Sequence, residues 1–271
     1  MPLNFTLASR NLLHDRLRFV ATTIGIVFSV VLVMVQMGLY LGFGHMVTRM
    51  IDRSDADLWV MRRGTKCFED PSLIDAHDRN KALSVRGVAE AVPVVLGFTE
   101  WVIPDGGTTP VFIIGSSPGT GGLHPWNLVE GNLASLSAAD AVAIDRTYFA
   151  RLGITGIGDS AQIRDRTARV TAITNGIRSF TTTPYVFTEL RRAQAYMGTS
   201  ANRVSYFLIH VSPGANIAGV RERLRASLTK VEVLTPDEFR DRSRAFWLFG
   251  TGAGAALFAG ALLGAIVGTV I

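Results

Sequence analysis

The stretch FVATTIGIVFSVVLVMVQMGLYLGFGHMVT, Phe19 to Thr48, contains no Asp, Glu, Lys or Arg, and a single histidine, His45. A bilayer core needs about 20 helical residues to cross, and this run exceeds that length. A secretory leader would hold an apolar core of about 7–15 residues followed by a small-residue cleavage site, and neither is present. The run therefore predicts a transmembrane helix over residues 19–48.

Working outward toward the C-terminus, a second apolar run ends in GAGAALFAGALLGAIVGTVI, Gly252 to Ile271. A second span over residues 241–271 is predicted. Gly250 and Gly254, then Gly260, Gly264 and Gly268, recur at intervals of four. In lipid such spacing lets two helix backbones approach closely, so these glycines are expected to form a helix-packing face. Gln36, the one strongly polar side chain deep in the first run, is expected to hydrogen-bond either a neighbouring helix or its own local backbone.

Working toward the N-terminus, Arg10, Arg16 and Arg18 crowd the approach to the first run. Positive residues beside a span favour the cytoplasm, so these arginines are read as a cytoplasmic anchor. Residues 1–18 are expected to lie as an amphipathic helix on the cytoplasmic face. Residues 49–240 then form an extracytoplasmic domain. Arg240, Arg242 and Arg244 precede the second span on the outer side, which is compatible because long domains translocate largely regardless of charge. Trp247 is expected at the outer interface.

Composition agrees with a folded domain tethered by a few helices: 48% of residues are hydrophobic and 18% charged. The formal charge of +5 could attract nucleic acid or anionic lipid. With two apolar runs and an extracytoplasmic domain, membrane lipid is the expected partner and nucleic acid is not. The single cysteine, Cys67, leaves no internal disulfide to form.

In the middle, strand and helix signals alternate. ADLWVMR (56–62) reads as a half-buried strand. Residues 94–116 read as two strands joined by a turn at 105–107. AVAID (141–145), SAQIRD, ARVTAITN, RVSYFLIHV and VEVLT read as further strands. RTYFARLG ends a short helix at Gly153, and ELRRAQAYMG ends another at Gly198. ANIAGVRERLRASL is an amphipathic helix, with Arg221, Arg223 and Arg225 on a solvated face. PDEFRDRSRAF starts a helix with an early proline and is expected to run on stiffly into the second span. The domain is α+β, with a division into two lobes expected near Gly115–Gly122.

Catalytic motifs do not hold up. GSSPG (115–119) fits G-x-S-x-G, but the PGTGG that follows Ser117 does not start the helix a nucleophile elbow requires. GTGAGA (250–255) lies within an apolar helix with no preceding strand. None of the three lysines follows a glycine, so there is no Walker-type phosphate cradle. The histidines and Cys67 show no metal-ligand spacing. No catalytic residue, cofactor or metal is expected.

Several stretches resemble permease subunits of the MacB/FtsX type, especially the DevC-like branch. ASRNLLHDRLRFVATTIGIVFSVVLVMVQMGLYLG resembles the family's opening. VAIDRTYFARLGITGIGDSAQI, with Asp145, Gly153, Gly158 and Asp159, is similar to its external domain. GIRSFTTTPYVFT, with Gly176, Arg178, Phe180 and Pro184, resembles a DevC-like segment, and GALLGAIVGTVI the start of the second span. The resemblance implies helical spans flanking an α+β MacB-like periplasmic domain in a bacterial inner membrane. It also implies further spans and a cytoplasmic coupling loop, so Ile271 is read as a truncation point. The implied role is a permease subunit that is not itself an enzyme. A cytoplasmic ABC ATPase would drive it, beside a second permease copy (a homo- or heterodimer), a periplasmic adaptor and an outer-membrane channel. Efflux of glycolipid or another amphiphile is the implied task. The residues leave two alternatives open: a two-span receptor with an extracytoplasmic sensor domain, and an anchored hydrolase using Ser117.

Overall fold

The computed structural model describes residues 15–270 apart from 105, 118 and 120. It divides into a folded domain, residues 46–244, and a helical unit made of the segments on either side.

In the helical unit, α1 runs from Arg16 to Met46. The Asp15 carboxylate accepts the Arg18 backbone N–H at 3.2 Å, satisfying one of the orphan donors of the first turn. Arg16 and Arg18 belong to this same helix; Arg10 and the rest of the expected amphipathic segment lie outside the described residues. Large apolar side chains such as Phe28, Met34 and Leu39 stand more than half exposed around α1. By length and composition it is able to cross a membrane.

The domain begins with a single helical turn, α2 (Arg49–Asp52). The elements that follow are β1 (Leu58–Arg62), β2 (Ile74–Asp75), α3 (Asp78–Leu83), β3 (Val88–Val102), β4 (Thr108–Ser116) and β5 (Leu128–Glu130). Next come β6 (Ala141–Asp145), α4 (Phe149–Leu152), β7 (Ser160–Ile163), β8 (Arg166–Thr174) and β9 (Tyr185–Glu189). The domain closes with α5 (Leu190–Met197), β10 (Arg203–Val204), β11 (Tyr206–Val211), α6 (Ile217–Ser227), β12 (Val231–Leu234) and α7 (Pro236–Ala245).

The main sheet has the order β12-β1-β11-β3-β4-β9-β6-β8-β5. The long strand β3 gives it an uncommon shape. One side of β3 pairs with β4. Its other side pairs first with β11 and then, at Trp101 and Val102, with β7. Because β7 also pairs with β8, strands β3, β4, β9, β6, β8 and β7 close into a ring, while β12, β1 and β11 continue as an open antiparallel sheet. The expected division at 115–122 is therefore absent. The two lobes share a strand, and β4 runs through Gly115 to its pairing with β9.

Three apolar clusters follow from this shape. Val95, Trp101, Ile113, Val142, Ile144 and Val186 join side chains of α5 in the ring cluster. Gly115 and Gly97 seat α5: a Cβ on Gly115 would fall 2.1 Å from the Ala193 methyl, and one on Gly97 2.5 Å from the Met197 sulfur. A second cluster joins the open sheet to α6 through Leu58, Val60, Phe207, Val220 and Leu224. A third contains Trp59, Met61, Phe68, Phe112, Tyr206 and Phe239. β1 is thus covered on both faces, and Leu58 to Met61 are all buried. The half-buried reading fails because those four residues are all apolar, the pattern of a two-sided strand. Burial pushes the Cys67 thiol up to about 12, and burial in the third cluster holds the Tyr206 phenol well above its ordinary range.

Arg223 and Arg225 lie exposed on α6 as expected, whereas Arg221 is half-buried. Arg221 and Arg225 donate to the Val233 carbonyl at the edge of β12, and Arg223 donates to the Arg86 carbonyl. One further expectation is corrected: α7 does not continue stiffly into the second apolar run. π-helical geometry occupies Phe246–Gly250, and the run breaks at Thr251–Gly252. The helix α8 (Ala253–Val270) then restarts after the break. Gly252 adopts φ +76°, a conformation that costs glycine little and other residues much.

Candidate functional site at the two stalks

The domain has two chain-level connections to the apolar helices: α2, which follows α1, and α7, which leads to the second run. The two are tied together and to a common core. Thr48 donates its hydroxyl to the Asp52 carboxylate at 2.9 Å. Asp52 in turn lies 3.3 Å from the Arg240 guanidinium on α7. Met50 and Ile51 from α2, and Phe239 from α7, are buried in the same cluster. Phe239 packs with Trp59 and Tyr206 at ring distances of 5.1 and 5.7 Å. Arg242 adds an ion pair with Glu232 on β12 and donates to the Thr65 carbonyl.

The α2 side also reaches the far half of the sheet. Arg49 donates to the Gly176 carbonyl at 3.1 Å. Its guanidinium and that of Arg53 stand 5.7 and 5.5 Å from the Trp126 ring centre, within range of the attraction between a cation and a ring face. Trp126 meets Phe187 of β9 edge to face.

Gly176 opens the segment through Pro184, and Asp145 anchors that segment. The Asp145 carboxylate is 2% exposed. One oxygen accepts the Thr174 hydroxyl at 2.9 Å and the Ile177 backbone N–H at 2.7 Å. The other accepts the Thr147 backbone N–H and hydroxyl. A buried carboxylate with four donors is a fully satisfied node, and it locks the end of β6 to the start of the 176–184 segment. Tyr148 accepts the Ser179 N–H, Arg151 donates to the Thr182 carbonyl, and the Pro184 carbonyl receives the Phe112 N–H at the entry to β9. Arg178 is exposed and Phe180 half-buried.

Gly153 and the pair Gly158–Asp159 form a separate corner. Gly153 ends α4 in the left-handed conformation with φ +65°. One oxygen of Asp159 collects the Thr155 N–H, the Thr155 hydroxyl and the Gly156 N–H, which together hold its carboxyl below the usual range.

The five glycines of the second apolar run are placed in two ways. A Cβ on Gly260 would lie 2.8 Å from the Gln36 amide, one on Gly264 3.0 Å from Leu32, and one on Gly268 2.8 Å from Ser29. These three sit against α1. On Gly254 it would fall 2.2 Å from the Leu248 carbonyl, and on Gly250 3.1 Å from the Phe246 ring. Those two meet their own chain around the break. The Gln36 and Ser29 side-chain oxygens are buried without a hydrogen-bond partner among the described residues.

Sequence reasoning singled out Asp145, Gly176 and Pro184 but missed Arg49, Asp52, Trp126, Phe239 and Arg240, which hold the stalks. A basic pair directly after the first span, Arg49 and Arg53, is the one local signal that pointed there.

Residues 19–227 match the profile of the MacB-like periplasmic core domain. No curated protein sequence matches the chain. Among solved structures, the periplasmic region of MacB from Actinobacillus actinomycetemcomitans is similar at a TM-score of 0.52 and 10% identity, over 71% of this chain and 96% of that one. The extracellular domain of the noncanonic ABC-type transporter YknZ from Gram-positive bacteria is similar at 0.47 and 15%, over 66% and 99%. With the profile covering most of its length, and the fold shared with the periplasmic region of MacB, this chain belongs to the MacB-like periplasmic core domain family and is a MacB/FtsX-type ABC transporter permease.

Proposed function

We propose that this permease couples ATP hydrolysis by a cytoplasmic partner ATPase to movement of its extracytoplasmic domain, and that this movement drives efflux. The observation that supports the reading is the joint itself. α2 and α7, the two segments that join the helices to the domain along the chain, are fastened to each other by Asp52 and Arg240 and to one aromatic cluster by Ile51 and Phe239. Interiors are close-packed and transmit strain, so a shift of either stalk is delivered to β1, β12 and the strands beside them. The role asks nothing catalytic of this chain. A second permease copy, a periplasmic adaptor, an outer-membrane channel and contact with membrane lipid complete the assembly in this reading. It places the domain in the periplasm of an inner-membrane protein and takes a glycolipid or similar amphiphile, as in the DevC-like branch, as the cargo class.

The test uses the full permease assembled with its ATPase. Arg240→Glu should leave assembly and ATP turnover in place while export falls several-fold, and adding Asp52→Arg should restore export. Unchanged export in Arg240→Glu, or no rescue in the double variant, would overturn the coupling role of the joint.

A further inference from the structure

Charge pairing is the habit of this domain. Arg146 pairs with Glu130, Arg221 with Glu238, Arg225 with Glu222, Arg242 with Glu232 and Arg244 with Asp241. One cleft departs from it. A cavity of about 620 Å³ opens where the end of β1, the start of β12, β2 and α3 meet, and Arg62, Arg63, Lys81, Arg203 and Lys230 line it with Asp75 and Asp78. The side chains of Arg62, Arg63 and Lys230 form no ion pair or hydrogen bond among the described residues. The carboxylates close by are already engaged. Asp78 holds Lys81 at 2.7 Å, Asp75 accepts the His77 ring and backbone N–H, and Glu232 is taken by Arg242 and the Gly64 N–H.

The scaffold keeps these cations together. Arg62 and Val231 are register partners at the ends of β1 and β12. Arg63 donates its backbone N–H to the Lys230 carbonyl at 3.2 Å. Lys230 itself holds φ +62°, a left-handed conformation that is strained for a residue with a Cβ. Like charges gathered in a concave site repel unless an anion neutralises them, and guanidinium forks beside an ammonium match the oxygens of a phosphate.

We infer that the cleft bounded by Arg62, Arg63, Arg203 and Lys230 is a binding site for a phosphate-bearing anion. The inference does not depend on the efflux reading. Such a ligand would bridge the ends of β1 and β12, the strands that follow one stalk and precede the other.

Two sources share this chemistry, an anionic lipid headgroup and free phosphate. The test titrates the full chain, in uncharged maltoside detergent, with dihexanoyl phosphatidylglycerol, inorganic phosphate and dihexanoyl phosphatidylcholine, followed by calorimetry. Arg62→Gln, Arg203→Gln and Lys230→Gln are then combined. These side chains are exposed, so the thermal midpoint serves as the folding control. Binding of phosphatidylglycerol but not inorganic phosphate, weakened about tenfold or more in the triple variant, supports the site with lipid as the source. Binding of both, weakened alike, supports it with phosphate itself as the determinant. Either interaction should also weaken in the wild-type chain as salt is raised, a readout that needs no variant. Failure of both phosphatidylglycerol and inorganic phosphate to bind, equal binding of phosphatidylcholine, or undiminished binding by a folded triple variant overturns it.

Discussion

The Arg240 guanidinium lies 3.3 Å from the Asp52 carboxylate, and with that contact the segment leaving the first apolar helix is joined to the segment entering the second. Both groups are partly exposed, so the pair is worth at most about 1 kcal/mol to stability. A double-mutant cycle of Asp52→Asn and Arg240→Gln, read by chemical denaturation, should therefore give a small coupling energy. A coupling of several kcal/mol would mean that the pair is a main support of the fold rather than a link between stalks.

Phe239 carries the larger share of the joint. It is fully buried between Trp59 and Tyr206, and Phe239→Ala should cost about 3–5 kcal/mol. Denaturation of the full chain in detergent measures it, and a loss under 1 kcal/mol would show that the cluster does not depend on α7.

Asp145→Ala should leave the Ile177 N–H and the Thr174 hydroxyl buried and unpaired, at about 1–3 kcal/mol for each. The effect should be local as well as global. Amide exchange should accelerate across 176–184 more than in β11, and uniform acceleration would contradict the anchoring role assigned here to Asp145.

Asp159 gives a pH dependence of known sign. Its carboxyl is held below its ordinary value by the Thr155 and Gly156 donors, so the folded state binds the proton less readily than the unfolded chain. The contribution is present above the unfolded value and is lost as pH falls through the folded one. Asp159→Asn should flatten the stability profile in that acidic window and leave it unaltered near neutrality apart from a constant offset. A profile of unchanged curvature would remove the assignment.

Gly264→Leu and Gly254→Leu should separate two roles. The first places bulk against Leu32 and Val33 of α1, the second against the Leu248 carbonyl of its own chain. A helix-association assay in membranes should register Gly264→Leu strongly, whereas Gly254→Leu should alter helicity around the break. Equal loss of association in both would put Gly254 on the packing face too.

Much of the domain was legible because its strands are short apolar runs closed by turns. Val94 to Ser116 shows both strands and the turn between them, and Gly153 and Gly198 end helices with positive φ. What escaped depends on distance along the chain. Nothing local to Arg49 announces the Gly176 carbonyl, nor does anything near Arg221 announce the carbonyl of Val233. The break at Gly252 was hidden differently. Glycines in an apolar helix read equally as packing surface or as a fracture, and only the backbone angle separates the two.

The closed ring of β3, β4, β9, β6, β8 and β7 has a consequence for crowding. Strands in a cycle have both neighbours supplied from within, so the outer boundaries of the sheet fall to β12 and β5, of four and three residues. Those are poor templates for strand addition. Copies packed side by side at high local density are thereby discouraged from zipping together edge to edge, and contacts between them are left to side chains.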